Sequence, residues 1–288
     1  MLAGTFALSR SHLNEVLALY DPISHRVFAQ QIGIHPENDS AAVLAIVLFC
    51  LGYPDQAVVQ SNAAIDEARR LAHPPSLASS LFLAARLLLL IGDDAALARR
   101  AEELIAVATE QGFPLWRAYG TICRGWVKVK HRDEAEGLSL LRSGLAAFRA
   151  TGGETYMPHH IDLLARAFDV TGQIAEGLSH LDEGLRIVER TGERWYEAEL
   201  NRHKGQLLLR QGRTEAAEEL YRKALSIAQD QEAKLWELRA AVSLARLRRD
   251  QGRRAEARDL LAPIYGWFTE GFGTPDLTEA KALLDELG

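Results

Sequence analysis

The chain has 288 residues, of which 48% are hydrophobic, with 33 Lys and Arg against 39 Asp and Glu, a net charge of -6. An acidic balance of this kind argues against general nucleic-acid binding, which needs a basic footprint. The first thirty residues lack a basic stretch followed by an apolar run, so no secretory signal is read, and the two most apolar segments, Ala41–Leu51 and Leu81–Ile91, fall short of the roughly 20 residues that span a bilayer.

Gly4–Tyr20 reads as a lone helix, followed by a linking segment, 21–38, that holds Pro22 and Pro36. From there a strict period takes over. Gly52, Gly92, Gly172, Gly212 and Gly252 are spaced in multiples of 40, and Arg132 fills the missing slot. Seven residues before each hinge stand Ala45, Ala85, Gly125, Ala165, Gly205 and Ala245. Five before it every residue is apolar: Val47, Leu87, Val127, Ala167, Leu207 and Leu247. Such a period marks a stack of units that bury their apolar faces against one another. Each unit is a helical hairpin, with helix A before the hinge and helix B after it; the small residue in A lets B approach closely.

In the fifth unit, A is predicted over Trp195–Arg210 and B over Glu215–Gln229, with Ala217, Leu220, Tyr221, Ala224, Leu225 and Ala228 as the buried stripe of B. Gly112, Gly152 and Gly192 close several B helices. Pro263 should kink the last B helix. The final helix, Asp276–Leu287, shows Asp276 and Glu279 at capping-box spacing and should shield the terminal apolar face. The expectation is one all-α domain over 1–288: a half repeat at 4–20, six 40-residue repeats over 39–272 in a right-handed superhelix, and a capping helix at 276–288. An array that opens on a B helix also implies that the chain is part of something longer.

The small residue in A, the hinge glycine and a small residue five after the hinge in B (Ala57, Gly137, Gly177, Ala217 and Ala257, with Leu97 the exception), together with GRTEAAEELYRKALSIA at 212–228, resemble the tetratricopeptide repeat. The unit is longer than usual by about one turn, and is similar in that respect to the long-helix repeats of MalT-like regulators. LALYDP (17–22), LGYPDQA (51–57), EQGFPLWRAYG (110–120), RTGERWYEAELNRHKGQLLL (190–209) and the stretch 260–287 resemble the C-terminal repeat region of large bacterial signalling proteins. In those, an adenylate-cyclase-like or DNA-binding domain and an ATPase domain precede the repeats. The resemblance implies a sensor or scaffold arm. No G-x-x-x-x-G-K-[ST] phosphate loop occurs, so it does not imply ATPase or cyclase activity in these residues.

Chemistry-bearing clusters are few. His159, His160 and Asp162 lie close in sequence, but adjacent histidines on a helix point about 100° apart and lack the spacing of a zinc site. No G-x-S-x-G elbow accompanies any serine. The expectations are therefore no enzyme, no metal and no cofactor. The two cysteines, Cys50 and Cys123, form no CxxC pair and read as buried thiols of a reducing, cytoplasmic compartment.

The A helices carry the candidate binding face. Six before the hinge stand Ile46, Arg86, Trp126, Arg166, Gln206 and Arg246; ten before, Ala42, Phe82, Ile122, Asp162, Arg202 and Val242; thirteen before, Asp39, Ser79, Tyr119, His159, Glu199 and Arg239. The groove they predict is aromatic in its first half and arginine-rich in its second. It suits a peptide, a protein segment or an anionic effector whose carboxylates or phosphates arginine forks would grip. In the alternative, the arginines pair with acids such as Asp162 and Glu199. Trp116, Tyr156, Tyr196 and Trp236, sixteen before the hinge, either pack against the preceding B helix or form a stacking edge. Binding to neither membrane nor nucleic acid is expected. Self-assembly into a homodimer through apolar surface at the N-terminal end is the competing function.

Overall fold

A computed structural model describes residues 1–21 and 33–288. The part of the linking segment that holds Pro22 lies outside the described residues, while Pro36 opens a helix. Among the described residues there are fourteen α-helices and no strand: α1 Phe6–Leu19, α2 Pro36–Cys50, α3 Pro54–Arg70, α4 Pro74–Ile91, α5 Asp94–Glu110, α6 Pro114–Lys130, α7 Glu134–Ala150, α8 Met157–Val170, α9 Ile174–Thr191, α10 Glu197–Arg210, α11 Thr214–Asp230, α12 Lys234–Asp250, α13 Arg254–Tyr265 and α14 Pro275–Leu287. They form two compact units. The N-terminal unit comprises Ala7–Phe49 and Pro54–Glu154; the C-terminal unit comprises Thr155–Gly288 together with Met1–Phe6 and Cys50–Tyr53.

Within the N-terminal unit, α3 to α7 pack each against the next, and α4 also touches α6, its counterpart one repeat on. The chain turns at Gly92 and at Arg132, both in the left-handed backbone region. The small residues of helix A sit where close approach requires them. A Cβ at Gly125 of α6 would lie 2.8 Å from the Leu141 amide nitrogen and 2.9 Å from the Gly137 carbonyl of α7, so backbone meets backbone there. Helix α4 is long and apolar enough to cross a membrane by length and composition, and 72% of it is buried inside the protein. Asn38 of α2 is also buried; it donates to the Ala64 carbonyl of α3 at 2.5 Å and accepts from Ser80 of α4 at 2.8 Å.

In the C-terminal unit α8 to α14 follow the same scheme, with α8 touching α10, α10 touching α12 and α12 touching α14. Ala217 and Tyr221 of α11 pack with Leu208 of α10 and with Leu244 and Leu247 of α12; Leu220 and Leu225 flank this core. The first helix of the fifth repeat starts at Glu197, two residues later than the apolar pattern suggests. The backbone N–H of Trp195, which a helix starting there would leave without an intrahelical acceptor, is taken by the Leu2 carbonyl at 3.0 Å. Helix α13 stops at Tyr265, two residues past Pro263.

The last helix departs from expectation at its start. The cap is Thr274, without a side-chain capping bond, and Pro275 takes the first helical position, where its missing N–H costs nothing. Asp276 and Glu279 form no capping box: Asp276 grips Arg239 and Glu279 pairs with Arg246. A guanidinium offers the carboxylate more than a neutral backbone N–H does. Leu277, Ala280, Leu283 and Leu287 are buried, so α14 covers the end of its unit against α12 and α13.

Candidate functional site: the face shared by the A helices

Residues one repeat apart meet on neighbouring A helices. Ser79 of α4 donates to Asp39 of α2 at 2.7 Å. Arg239 of α12 donates to Glu199 of α10 at 3.0 Å. The rings of Tyr196 and Trp236 lie 5.6 Å apart, edge to face. Each pair is separated by 40 residues, so the sequence period is a contact period.

In the N-terminal unit the expected aromatic stretch exists but is largely closed over. Phe82, Arg86, Tyr119, Ile122 and Trp126 are all buried. The Arg86 guanidinium lies 4.5 Å from the Phe82 ring centroid and 5.2 Å from that of Tyr119, and the two rings meet edge to face at 4.5 Å. Such stacking gives a buried cation a favourable quadrupole. Burial raises the Tyr119 hydroxyl well above its ordinary range and pushes the Cys123 thiol up to about 12, so neither ionises near neutrality. Ile122 packs against Gly144 of α7, and Lys130 reaches within 6.0 Å of the Trp126 ring centroid.

The C-terminal unit holds a continuous polar chain. Asp162 of α8 accepts from the Tyr196 hydroxyl at 2.9 Å and meets His203 Nδ1 of α10 at 2.7 Å. His203 Nε2 faces Arg202 Nη2 at 2.5 Å. Arg202 forks onto Glu199 at 2.6 and 2.9 Å, Glu199 also takes Arg239, and Arg239 forks onto Asp276 of α14 at 2.7 and 2.8 Å. Asp162 and Glu199 are fully buried. Burial would raise the Glu199 carboxyl, but Arg202 and Arg239 overrule it and hold it well below the usual carboxylate range. His203 is pushed down, by burial first and by Arg202 as well, against the pull of Asp162. A neutral ring that donates from Nδ1 to Asp162 and accepts at Nε2 from Arg202 satisfies every partner.

Above this chain lies a more open row. Arg166 of α8 is half-buried, and Gln206 of α10 and Arg246 of α12 are exposed. Gln206 reaches Asp169 at 3.4 Å, and Arg246 pairs with Glu279. His159 is buried, with its ring 4.8 Å from Tyr196 and 5.7 Å from Trp195; its neighbour His160 is buried too, 6.0 Å away. The structure therefore sorts the predicted residues by depth. His159, Asp162, Arg202 and Arg239 build the floor, while Arg166, Gln206 and Arg246 face outward. Of the aromatic ladder, Tyr156, Tyr196 and Trp236 are buried and Trp116 is half-buried.

His203 was not among the residues picked from sequence. It falls nine before its hinge, in a column that otherwise reads Val43, Leu83, Cys123, Leu163 and Ser243. A histidine in an otherwise mostly apolar column was the available signal. Asp276 had none, because it lies outside the period.

Stacked helix pairs whose equivalent residues touch define a tetratricopeptide-type α-solenoid. The tetratricopeptide-repeat family profile matches residues 159–230 and 196–262. A protein of Rhizobium meliloti (strain 1021), described as uncharacterized, is 25% identical over 233 residues, which is 80% of this chain and 23% of that protein. The chain thus spans about a quarter of the length of the curated relative it matches. Among solved structures, a Rap protein complexed with Competence and Sporulation Factor is similar at a TM-score of 0.61 and 11% identity, covering 99% of this chain and 98% of that one. The apo form of RapI follows at 0.58 and 11%, covering 97% and 91%. A tetratricopeptide repeat protein from Parabacteroides merdae ATCC 43184 gives 0.55 and 11%, covering 98% of each chain. At such identities these likenesses establish the fold.

Proposed function

We propose that this chain is a non-catalytic interaction module and that the A-helix face of the C-terminal unit is its binding surface for an acidic peptide or protein segment. The depth sorting of that face carries the reading: the floor is closed on itself by ion pairs and hydrogen bonds, while Arg166, Gln206 and Arg246 face outward, Gln206 steadied by Asp169 and Arg246 by Glu279. A surface fixed before binding loses little side-chain freedom when a ligand arrives. The likeness of fold to a Rap protein complexed with Competence and Sporulation Factor supports the same class of partner. The chain matches about a quarter of a longer relative, which fits one arm of a larger protein; the role we propose for it, on the sequence resemblance, is the sensor or scaffold arm of a multidomain bacterial signalling or transcriptional regulator. Two buried cysteines without a disulfide support a cytoplasmic setting.

The test is thermal melting with a panel of short synthetic peptides, acidic and neutral, on the wild type and on Arg166→Glu/Arg246→Glu. A ligand of the folded form at 100 times its Kd adds about 2.7 kcal/mol. Acidic peptides should raise the melting temperature of the wild type, and charge reversal should weaken that binding by at least about tenfold. Equal responses to acidic and neutral peptides would refute the reading. Arg202 is unsuitable for this purpose because its removal also breaks the floor.

Self-assembly is the second reading, favoured by one observation. Leu8, Val16 and Leu19 of α1 are exposed at 56%, 40% and 70% and fall on one helical face. Light scattering at rising concentration, compared between the wild type and Leu8→Glu/Leu19→Glu, decides it; a wild type that stays monomeric removes it.

A further inference from the structure

A segment at the start of the chain is gripped through its backbone. The Leu2 carbonyl oxygen accepts from two consecutive N–H groups, Arg194 at 2.7 Å and Trp195 at 3.0 Å. Successive N–H groups converging on one oxygen form a concave acceptor site. The turn that carries them is itself tied down. Gln231 Nε2 donates to the Arg194 carbonyl at 2.9 Å, and Trp236 Nε1 donates to the Trp195 carbonyl at 3.1 Å. Trp195 Nε1 in turn donates to Glu193 at 3.0 Å. Every element of this grip belongs to the C-terminal unit.

The segment matches the grip at particular positions. Gly4 donates to the Met1 carbonyl at 2.8 Å and closes a turn with φ of +82°. A Cβ at Gly4 would collide with the Gln231 side chain. Gly4 and Phe6 are buried, whereas Leu2, Ala3 and Thr5 are exposed. Leu2 therefore contributes its carbonyl more than its side chain, and the buried features are a glycine and a phenylalanine two residues later. Gln231 Oε1, at the same place, is buried without a hydrogen-bond partner, an acceptor that a peptide N–H could use.

We infer that the slot formed by Arg194, Trp195 and Gln231 is a recognition site for a peptide turn of the form Gly-x-Phe, and that Met1–Phe6 occupy it in cis. Its occupant in trans is a partner protein's segment carrying the same pattern, in competition with the strap. The backbone N–H pair reads the carbonyl two residues before the glycine, the left-handed turn and the Gln231 contact require glycine, and burial selects the aromatic ring. This site is separate from the A-helix face and does not depend on that face binding anything.

The experiment uses the full chain with Gly4→Val, which expels the strap by collision and by a backbone angle that valine disfavours. The probe is the acetylated and amidated hexapeptide Met-Leu-Ala-Gly-Thr-Phe, and the readouts are tryptophan fluorescence and melting temperature. A tethered strap competes at a high effective concentration, so the peptide should bind the variant at least about tenfold more tightly than the wild type. The same peptide with valine for glycine should not bind. A folded variant that ignores the peptide, or that binds both peptides alike, overturns the inference. Should Gly4→Val not fold, deletion of residues 1–6 vacates the slot without a collision and is read the same way. If neither variant folds, the strap is a fixed part of the core and the inference fails.

Discussion

Arg132 holds the backbone angle that glycine holds at the other five hinges: its φ is +65°, against +75° at Gly172 and +77° at Gly212. An L-residue pays roughly 1–2 kcal/mol for that region, part of which glycine returns through its freer unfolded chain. Arg132 is exposed, so Arg132→Gly should stabilise the protein by about 0.5–1 kcal/mol, read as a higher urea midpoint at unchanged slope. The opposite sign belongs to Gly125→Ala. The added methyl would press on the Gly137 carbonyl and the Leu141 amide of α7, and backbone cannot rotate out of the way as a side chain can. A loss of about 1–3 kcal/mol is expected in the same denaturation experiment. Both positions were legible in sequence, since a column of small residues and a gap in a glycine column are local patterns with a steric cause.

Single helices show where that legibility ends. The fifth repeat's first helix starts two residues late, next to a turn bonded to a residue nearly two hundred positions away, and α14 turns its supposed capping acid toward Arg239. Removing that acid should be costly, because Arg239 and Asp276 expose only 15% and 13% of their side chains. Asp276→Ala takes the forked carboxylate from a poorly hydrated guanidinium that also meets Glu199 and the Trp236 ring. We expect a loss of about 2–4 kcal/mol by chemical denaturation, with α14 the first helix to exchange its amides. Had the capping reading been right, the loss would be closer to about 1 kcal/mol. The period predicted that Glu199 and Arg239 would be equivalent positions. That they bond to each other, and that His203 joins them to Asp162, follows from how closely α8, α10 and α12 approach.

At the scale of the molecule, the buried chain makes stability depend on pH. The folded protein holds His203 neutral, below its ordinary value of 6.5, so on acidification the unfolded chain takes up that proton first. Its contribution is complete above about pH 6.5 and shrinks as pH falls through that value toward the folded one. Glu199 is depressed from 4.5, and its contribution disappears only as pH drops below that. His73 is also lowered by burial and acts in the same direction as His203. The difference between the wild type and His203→Gln therefore isolates one residue: the variant should melt lower at pH 8, yet lose less melting temperature between pH 7 and 5. Parallel curves would show that folding leaves the proton affinity of His203 unchanged, and a variant that loses more than the wild type would show that His203 is protonated in the fold.

The helical hairpins, their forty-residue repeat and the small contacts inside each pair were written in the chain, because they depend on neighbours within a turn or two and on a period that copies them. Which arginine meets which carboxylate, which predicted groove residue sinks to the floor, and where Met1–Phe6 come to rest were not written there. Apart from the Arg202–Glu199 fork within one helix, those outcomes depend on atoms brought together across 34 to nearly 200 positions of sequence, and a charged group chooses its partner by distance and desolvation once the helices are stacked.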